Sequence, residues 1–523
     1  MPERHLSWQP GFSLSRKPAK RPTTRRTNRG EARIACKPLQ LEFIIERPNR
    51  NHETNKSSSV TNCSYSKALL GPTTAYQANF GSNVTACEET RHSTETPFRP
   101  LGDESLIRND DSCDVVTTHK KSSYPISIPP TVLYNNLFQR FQPILDRYND
   151  DFCKIPLTTD LRANPFQYRK DLDPEPACLV HAVMGLAGHH VESRSSQSHR
   201  HVALQMLREG LSIYSDARDC YSMLDTIIII FSLDETQSAL GNWKTHLLGA
   251  YGLLEACGGF ENWTMSSRLE VQIGLLTWWD AIISLVSREV CVFPYTYFEA
   301  IQSNNSGPNR EWDYFGLCGC PLSLVKIVMR LARLSAKEQI SDSVEQIELY
   351  TSVISGIEQS LEAWNYTSHE STFDSEESMH QDQDRMHCSE AWRNGLLLYI
   401  YRVFYWKPGS DVPMRILYRA RVIVDHIFAC RDENMVSRQA LLPLIFAGCE
   451  LTEASLRQKI IKRCSVWNDR TRYYIFSSAI PLLEEVWAEQ EKRGFENVWW
   501  GQIVDRQHMS ESHNSLPMRI CFG

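Results

Sequence analysis

The stretch Asn242–Gly259, with the sequence NWKTHLLGAYGLLEACGG, decides the fold class of this chain. Its apolar residues Trp243, Leu247, Ala250 and Leu254 recur at spacings of four, three and four, which places them on one face of a helix. Asn242 is suited to cap the start of this helix, and Gly258-Gly259 is suited to end it in a left-handed turn. The stretch therefore predicts a packing element and carries no chemistry of its own.

The same helical spacing continues along the chain on both sides of this stretch. The run Tyr221–Leu233 is apolar on nearly every face, which is typical of a central buried helix. Alternation with a period of two is nearly absent and no repeat of fixed length occurs, so we predict an all-α fold and no solenoid. The predicted helices are Ala177–Val191, His199–Ala217, Tyr221–Leu233, the Trp243 helix, Arg268–Val290, Leu322–Ala336, Val344–Trp364, Ala391–Trp406, Val412–Cys430, Arg438–Leu456 and Tyr473–Lys492.

Composition divides the chain into four regions. Residues 1–125 are rich in Ser, Thr, Asn, Arg and Pro, which predicts a disordered, basic tract. Within it the apolar segment Leu39–Ile45 suggests a transient strand or a partner-binding segment. Residues 126–176 are expected to form a short helix and a Pro-containing linker. Residues 177–495 are expected to form the helical domain with a disordered acidic insert at 365–386, followed by a C-terminal tail at 496–523.

Charge and targeting signals narrow the function classes. The chain has 523 residues and a net charge of −6, so its overall charge does not indicate nucleic-acid binding. The first fifteen residues lack the apolar core of a secretory signal, and the most apolar run, Thr226–Leu233, has eight residues where a membrane helix needs about 20. We therefore expect an intracellular protein that does not cross a membrane.

Four segments, in this order and spacing, carry a resemblance to a known family. They are WKTHLLGAYGLLEACGG (Trp243–Gly259), FGLCGCPLSLVKIVMRLARLS (Phe315–Ser335), AWRNGLLLYIYRVFY (Ala391–Tyr405) and LLPLIFAGCELTEASLR (Leu441–Arg457), the last followed by LLEEVW at Leu482–Trp487. This order resembles the fungal-specific transcription factor domain, the regulatory domain that follows a Zn₂Cys₆ cluster in many fungal regulators. The resemblance implies a multi-helix regulatory domain, a nuclear location and no catalytic activity.

The zinc cluster of that family has no counterpart in this sequence. Its six cysteines normally follow the spacing C-x₂-C-x₆-C…C-x₂-C-x₆₋₈-C and hold two zinc ions. Cys36, Cys63, Cys87 and Cys113 stand 27, 24 and 26 residues apart, and no C-x-x-C pair occurs in the chain. We therefore predict no metal cofactor here. Regulation then proceeds without a cluster of its own, or the sequence lacks the segment that encodes one.

A basic tract near the N-terminus is the one candidate recognition motif. Nine Lys or Arg residues lie between Arg16 and Lys37, with Glu31 as the single acid. Two basic groups separated by a few residues are typical of a nuclear localisation signal, and auxiliary contact with the DNA backbone and plain solvated disorder remain alternatives. The candidate signal residues are Arg16, Lys17, Lys20, Arg21, Arg25, Arg26 and Arg29.

Three further clusters have residue types that can bind metal ions, but none is predicted to form a metal site. His189, His190, His199 and His201 straddle a polar turn, so we expect solvated helix-end histidines and no metal site. Cys318 and Cys320 flank the turn that starts a helix, with Pro321 at its first position. The D-D-x-x-D pattern Asp110–Asp114 matches a terpene-synthase metal motif but lies in a polar tract with no downstream partner motif.

Aromatic side chains suggest one further possibility, a pocket for a small effector. The residues concerned are Trp278, Trp279, Phe293, Tyr295 and Tyr297, although aromatic helices more often form core.

The most specific hypothesis is a non-catalytic fungal transcriptional regulator in the nucleus. The resemblance implies that its helical body binds other transcription regulators or a second copy of itself, with direct DNA contact limited to weak backbone contacts. It also implies control of a secondary-metabolite or nutrient-use pathway. The alternatives are an all-α enzyme of the terpene-synthase type and a cytoplasmic helical adaptor.

Overall fold

The computed structural model describes most of the chain from residue 141 onward. The described residues are 141–168, 177–213, 217–259, 266–304, 311–336, 344–368, 373–432, 435–509 and 518–523, together with three short strands near the N-terminus. By its internal contacts the chain divides into one unit of Met1–Arg47 with Pro129–Gly523 and a second unit of Pro48–Ile128, which lies outside the described residues.

Helices dominate the described structure and strands are nearly absent from it, which confirms the all-α class. In chain order they are α1 (141–147), α2 (Ala177–His190), α3 (Ser196–Ile213), α4 (Ala217–Glu235), α5 (Trp243–Ala256), α6 (Ser267–Ser287), α7 (Tyr295–Asn304), α8 (Tyr314–Cys318), α9 (Leu322–Leu334), α10 (Val344–Glu362), α11 (Glu376–Ile400), α12 (Met414–Ala429), α13 (Leu441–Glu450), α14 (Ala454–Thr471), α15 (Ile475–Arg493) and α16 (Trp500–Met509).

Short irregular helices join some of these elements. Turns of π-helix follow α1 at Tyr148–Phe152 and α11 at Tyr401–Tyr405, and turns of 3₁₀-helix lie at Met435–Ala440 and Phe495–Asn497.

The described strands are short and antiparallel. Strands β1 (His5–Ser7), β2 (Ser13–Arg16) and β3 (Leu41–Phe43) pair in that order. Strand β4 (Leu240–Gly241) pairs with β5 (Arg519–Ile520), with Leu240 opposite Ile520. The strand β3 falls within the apolar segment predicted as a transient strand, and apart from β1, β2 and β3 residues 1–125 lie outside the described residues.

The helix α5 has the apolar face predicted from its sequence. Trp243, Leu247, Ala250 and Leu254 are all buried, and Trp243 donates a hydrogen bond from Nε1 to the Ala239 carbonyl at 2.9 Å. Asn242 stands at the N-cap, but its side chain makes no capping hydrogen bond. The chain leaves the helix through two glycines of positive φ, 104° at Gly258 and 70° at Gly259, as predicted.

The centre of the core is formed by α4, α5 and α6. The Phe231 ring of α4 stacks on Trp279 of α6 at a centroid distance of 3.9 Å and an angle of 8°, and it lies 4.7 Å from the Trp243 ring of α5. Within the described residues, α6 is the helix long and apolar enough to cross a membrane, and 94% of its apolar window is buried inside the fold. Its composition is thus accounted for by its place in the core.

The packed core extends beyond both predicted ends of the helical domain, residues 177 and 495. Residues 141–168 lie in the segment predicted as a short helix and a Pro-containing linker, and they pack into the core through Leu145, Tyr148 and Phe166. The tail predicted at 496–523 contains α16, β5 and the buried Phe522. The sequence did not predict these contacts, because neither segment has a long apolar period.

The disordered insert predicted at 365–386 is also wrong for residues 376–386, which form the first turns of α11. Ser375 caps this helix in a reciprocal capping box with Ser378. Asp384 is 2% exposed and pairs with Arg431 at 2.8 Å, so the acidic sequence is held by specific partners.

We predict that Trp243→Ala strongly destabilises the fold. Trp243 is 1% exposed and contacts the Phe231 ring, so its removal leaves a cavity at the junction of α4 and α5. The free energy of unfolding should fall by about 3–5 kcal/mol, measured by chemical denaturation. The control Leu349→Ala changes a side chain that is 66% exposed and should cost less than about 0.5 kcal/mol. Equal effects of the two changes would contradict this view of the core.

Candidate functional site

The turn that contains Cys318 and Cys320 joins α8 to α9. Gly319, with φ 68°, ends α8, and Pro321 stands at the N-cap of α9, whereas the sequence predicted it at the first helical position. Cys388 donates from Sγ to the Gly319 carbonyl at 3.3 Å. Burial raises the pKa of the Cys318 and Cys320 thiols, so both stay protonated. Across the described ranges from 141 to 523, no group of three or more His, Cys, Asp or Glu is placed to hold one metal ion.

The predicted histidine cluster separates into different environments. His201 is exposed, as predicted. His190 is 6% exposed and stacks on Phe152 at 4.8 Å, so the prediction of a solvated side chain is wrong for it. His199 lies with its Nδ1 2.8 Å from Nδ1 of His181, a residue that the sequence pattern did not single out.

The remaining member of that cluster, His189, ties two distant parts of the chain together. Its Nε2 donates to the Arg472 carbonyl at 2.8 Å. The residue stands in the last turn of α2, and Arg472 follows α14 in a left-handed conformation. The contact joins these helix ends, and it gives His189 a structural role.

Buried charges elsewhere are neutralised by specific partners. Arg402 and Glu450 are 1% exposed each and form a two-pronged ion pair, with Arg402 Nε 2.8 Å from Glu450 Oε1. Asp225 accepts from Arg268 Nη2 at 2.7 Å and from Gln272 Nε2 at 2.6 Å. Such pairs satisfy the desolvated charges of the core and leave no carboxylate free for acid–base chemistry at these two places.

A second network joins α3, α4 and α5. Asp234 accepts from Arg200 at 2.7 and 2.9 Å and lies 3.0 Å from Nε2 of His246. Burial raises the pKa of the Asp234 carboxyl, but hydrogen bonds from His246 and Arg200 lower the pKa by more than burial raises it. The net pKa is therefore below its ordinary value. Asp234 is therefore ionised and committed to these partners.

Next to Asp234, Glu235 lines a cavity between α4, α6 and α15. The cavity has about 60 Å³ of space for the centres of water-sized spheres. Its wall is formed by Ile155, Pro156, Phe166, Glu235, Leu275, Trp278, Trp279, Leu317, Cys318, Arg438, Gln439, Leu441, Thr471, Tyr473, Ile475, Phe476, Phe522 and Gly523.

The aromatic pocket predicted from the sequence is divided by the structure. Trp278 and Trp279 line this cavity, whereas Phe293, Tyr295 and Tyr297 do not. Phe293 and Tyr297 pack edge to face against each other at 5.6 Å as part of the core. The sequence thus located one aromatic wall of the cavity and missed its two charged residues, Glu235 and Arg438.

The comparisons with known proteins concern this helical body. The model of the fungal specific transcription factor domain matches residues 134–514, more than half of the 523-residue chain. The chain belongs to this family. No curated protein and no solved structure matches it.

Membership in the fungal-specific transcription factor domain family makes the chain a fungal transcriptional regulator. The family is regulatory and not enzymatic, and its function is generally nuclear. The matched residues include all of α1–α16, so residues 496–514 of the segment expected as a tail fall within the matched domain.

Other sequence candidates lie outside the described residues. They are the nuclear localisation residues Lys17, Lys20, Arg21, Arg25, Arg26 and Arg29, the side chain of Arg16, the four N-terminal cysteines Cys36, Cys63, Cys87 and Cys113, and the acidic motif Asp110–Asp114.

We predict that His190 makes the regulatory domain less stable in acid. Burial, followed by His189 and Arg472, lowers the pKa of His190 from 6.5 to about 3. Between these values the unfolded chain binds the proton and the folded chain does not. The stability contributed by neutral His190 is therefore complete above pH 6.5 and is lost as pH falls toward 3.

The measurement is chemical denaturation at several pH values between 6.5 and 4. His190→Gln should reduce the slope of unfolding free energy against pH by about 1.4 kcal/mol per pH unit, which is the effect of one proton. The exposed His201→Gln serves as the control and should leave the slope unchanged. An unchanged slope in His190→Gln would show that this ring is protonated in the folded protein.

Proposed function

We propose that this fungal transcriptional regulator is non-catalytic and acts by binding other proteins through its helical domain. The observation that carries the proposal is the family match across residues 134–514. The paired state of Arg402 with Glu450 and of Asp225 with Arg268 supports it, because these buried charges serve the fold. By the family resemblance, its target genes belong to a secondary-metabolite or nutrient-use pathway. Transcript profiling of a deletion strain tests the pathway.

The proposed partner is a second copy of the chain, and α12 is the proposed contact. Met414 is 77% exposed and Tyr418 is 60% exposed, and their spacing of four places them side by side on the helix surface. Arg421, which pairs with Asp425 of its own helix at 3.0 Å, continues the same exposed face, and the exposed Asp411 precedes the helix. Most exposed positions on a helix are charged or polar, so two large apolar side chains here favour an interface.

The charges around this face favour a symmetric pair. A two-fold interface needs a surface that is complementary to itself. If two copies of α12 cross antiparallel near Ile416, Met414 of each copy meets Tyr418 of the other, and Arg421 meets Asp411. Met–aromatic contacts and opposite charges then form twice. Another transcription regulator is the alternative partner.

We predict that Met414→Glu/Tyr418→Glu abolishes self-association. Light scattering after size-exclusion chromatography should give a dimer mass for the natural chain and a monomer mass for this variant. The control Tyr474→Glu changes an aromatic residue that is 50% exposed at the N-cap of α15 and should leave the dimer intact. A monomer mass for the natural chain at all concentrations would reject the second copy as partner.

A charge exchange tests the register of the proposed pair. Arg421→Glu should weaken the dimer, because it faces Asp411 of the second copy with a like charge. Arg421→Glu/Asp411→Arg restores opposite charges and should recover the dimer. Failure of the double variant to recover association would reject the antiparallel register while leaving the family assignment untouched.

Nuclear import is proposed to depend on the basic tract Arg16–Arg29. Changing its seven Lys and Arg residues to Ala should move a fluorescent fusion of the full chain from the nucleus to the cytoplasm. The control exchanges each Arg for Lys and each Lys for Arg, which keeps the charge and should keep the fusion nuclear. Nuclear accumulation of the Ala variant would show that another segment directs import.

A further inference from the structure

The cavity beside Glu235 contains two buried charged residues without a charged partner. Glu235 and Arg438 are each 6% exposed. Neither forms an ion pair within the part of the chain that the structure describes, in contrast to Arg402, Arg268 and Arg200, which all do. A buried ionisable group without a partner costs free energy whenever it is charged, so two such groups in one cavity call for a physical reason.

Arg438 keeps its positive charge. Its Nη2 donates to the carbonyls of Ile155 and Leu157, the latter at 2.7 Å, and its Nε has no partner among the described residues. Carbonyl groups do not neutralise a guanidinium. Burial lowers the pKa of Arg438 to about 10, so the group is cationic near pH 7 and the wall of the cavity carries a positive charge.

Glu235 contributes a hydrogen-bond donor. Burial, with the neighbouring Asp234 carboxylate as a second cause, raises the pKa of Glu235 well above its ordinary value. A protonated carboxyl donates one hydrogen bond. Glu235 and Arg438 are thus both donors, and Arg438 is cationic. Such a pair favours an anionic acceptor over a neutral or cationic ligand.

The rest of the wall limits the size and the body of the ligand. It is mainly apolar, with Trp278, Trp279 and Phe476 among its side chains. One water needs about 10–15 Å³ of such space, so about 60 Å³ accommodates roughly four to six non-hydrogen atoms. This space is too small for an aromatic acid without rearrangement, and it fits a short aliphatic chain.

We propose that the cavity lined by Glu235, Arg438 and Trp279 binds a short aliphatic carboxylate, with the carboxylate group toward Arg438 and Glu235 and the hydrocarbon against the aromatic wall. The site stands on the geometry of the cavity and not on the mode of regulation or on self-association. In a regulator, such a site couples the concentration of a small acid to the conformation of the domain.

Three probes of nearly equal size test the class of ligand. Titration calorimetry of the full chain at pH 7 with sodium butyrate, butyramide and butylammonium chloride compares an anion, a neutral amide and a cation. Butyrate should bind at least tenfold more tightly than the other two. Equal binding of the three probes or a preference for butylammonium would overturn the proposal. Absence of butyrate binding at millimolar concentration and 10-fold molar excess would also overturn it and would mean that the cavity holds water only.

Variants test the two residues. Arg438→Met removes the charge and should weaken butyrate binding at least tenfold, whereas Arg438→Lys keeps it and should stay within about threefold. Glu235→Gln keeps a donor and should bind butyrate, and Glu235→Val removes it and should bind more weakly. The control Arg333→Met also removes an arginine bonded to two carbonyls, at 2.9 and 3.0 Å, but away from the cavity, and should bind normally.

Folding of each variant is checked by circular dichroism and thermal denaturation before titration. Arg438→Met also loses the contacts to the Ile155 and Leu157 carbonyls. If it does not fold, Arg438→Lys and Glu235→Val decide the case together with the three probes on the natural chain. Butyrate binding that is the same in Glu235→Val and in the natural chain would overturn the proposed site.

Discussion

The stack of Phe231 on Trp279 is the contact on which the rest of the domain depends. It joins α4 to α6 across 3.9 Å, and the Trp243 ring brings α5 to the same point. Each aromatic side chain buries about 150–250 Å², so the three rings together withdraw several hundred Å² from water. At about 25 cal/mol per Å² this is on the order of 10 kcal/mol before the entropy of ordering is subtracted. The outer helices pack around this centre.

This centre was predictable because α5 carries an apolar helical period and α4 is apolar on nearly every face. In α5 the residues Trp243, Leu247, Ala250 and Leu254 follow 3.6 residues per turn, and in α4 the run Ile227–Leu233 is buried throughout, so local sequence and tertiary packing agree. The segments that sequence analysis misplaced depend on single distant partners. Strand β5 has two residues and pairs with Leu240–Gly241, a contact that no periodicity reveals. The acidic start of α11 depends on Asp384 meeting Arg431.

The cavity illustrates the same limit for function. Trp278 and Trp279 were recognisable as aromatic residues on a helix, but an aromatic residue that lines a cavity and one that fills the core have the same sequence signature. Asp234 pairs with Arg200 and His246, whereas the neighbouring Glu235 forms no ion pair among the described residues. Whether a charge is paired is a property of the tertiary structure, so a single sequence does not reveal it.

Trp279 belongs both to the central stack and to the cavity wall. A group that enters or leaves the cavity therefore acts on a side chain that holds α4 against α6. The closely packed interior is stiff, so a small displacement of this ring is passed to its neighbours and is not absorbed locally. A ligand shifts the conformational equilibrium only by its difference in affinity between two arrangements, and the buried charge of Arg438 supplies such a difference, because its unfavourable desolvation is relieved only when an anion is present. The position of the unpaired Arg438 charge in the cavity that Trp279 lines thus gives the domain a direct route from ligand chemistry to helix packing.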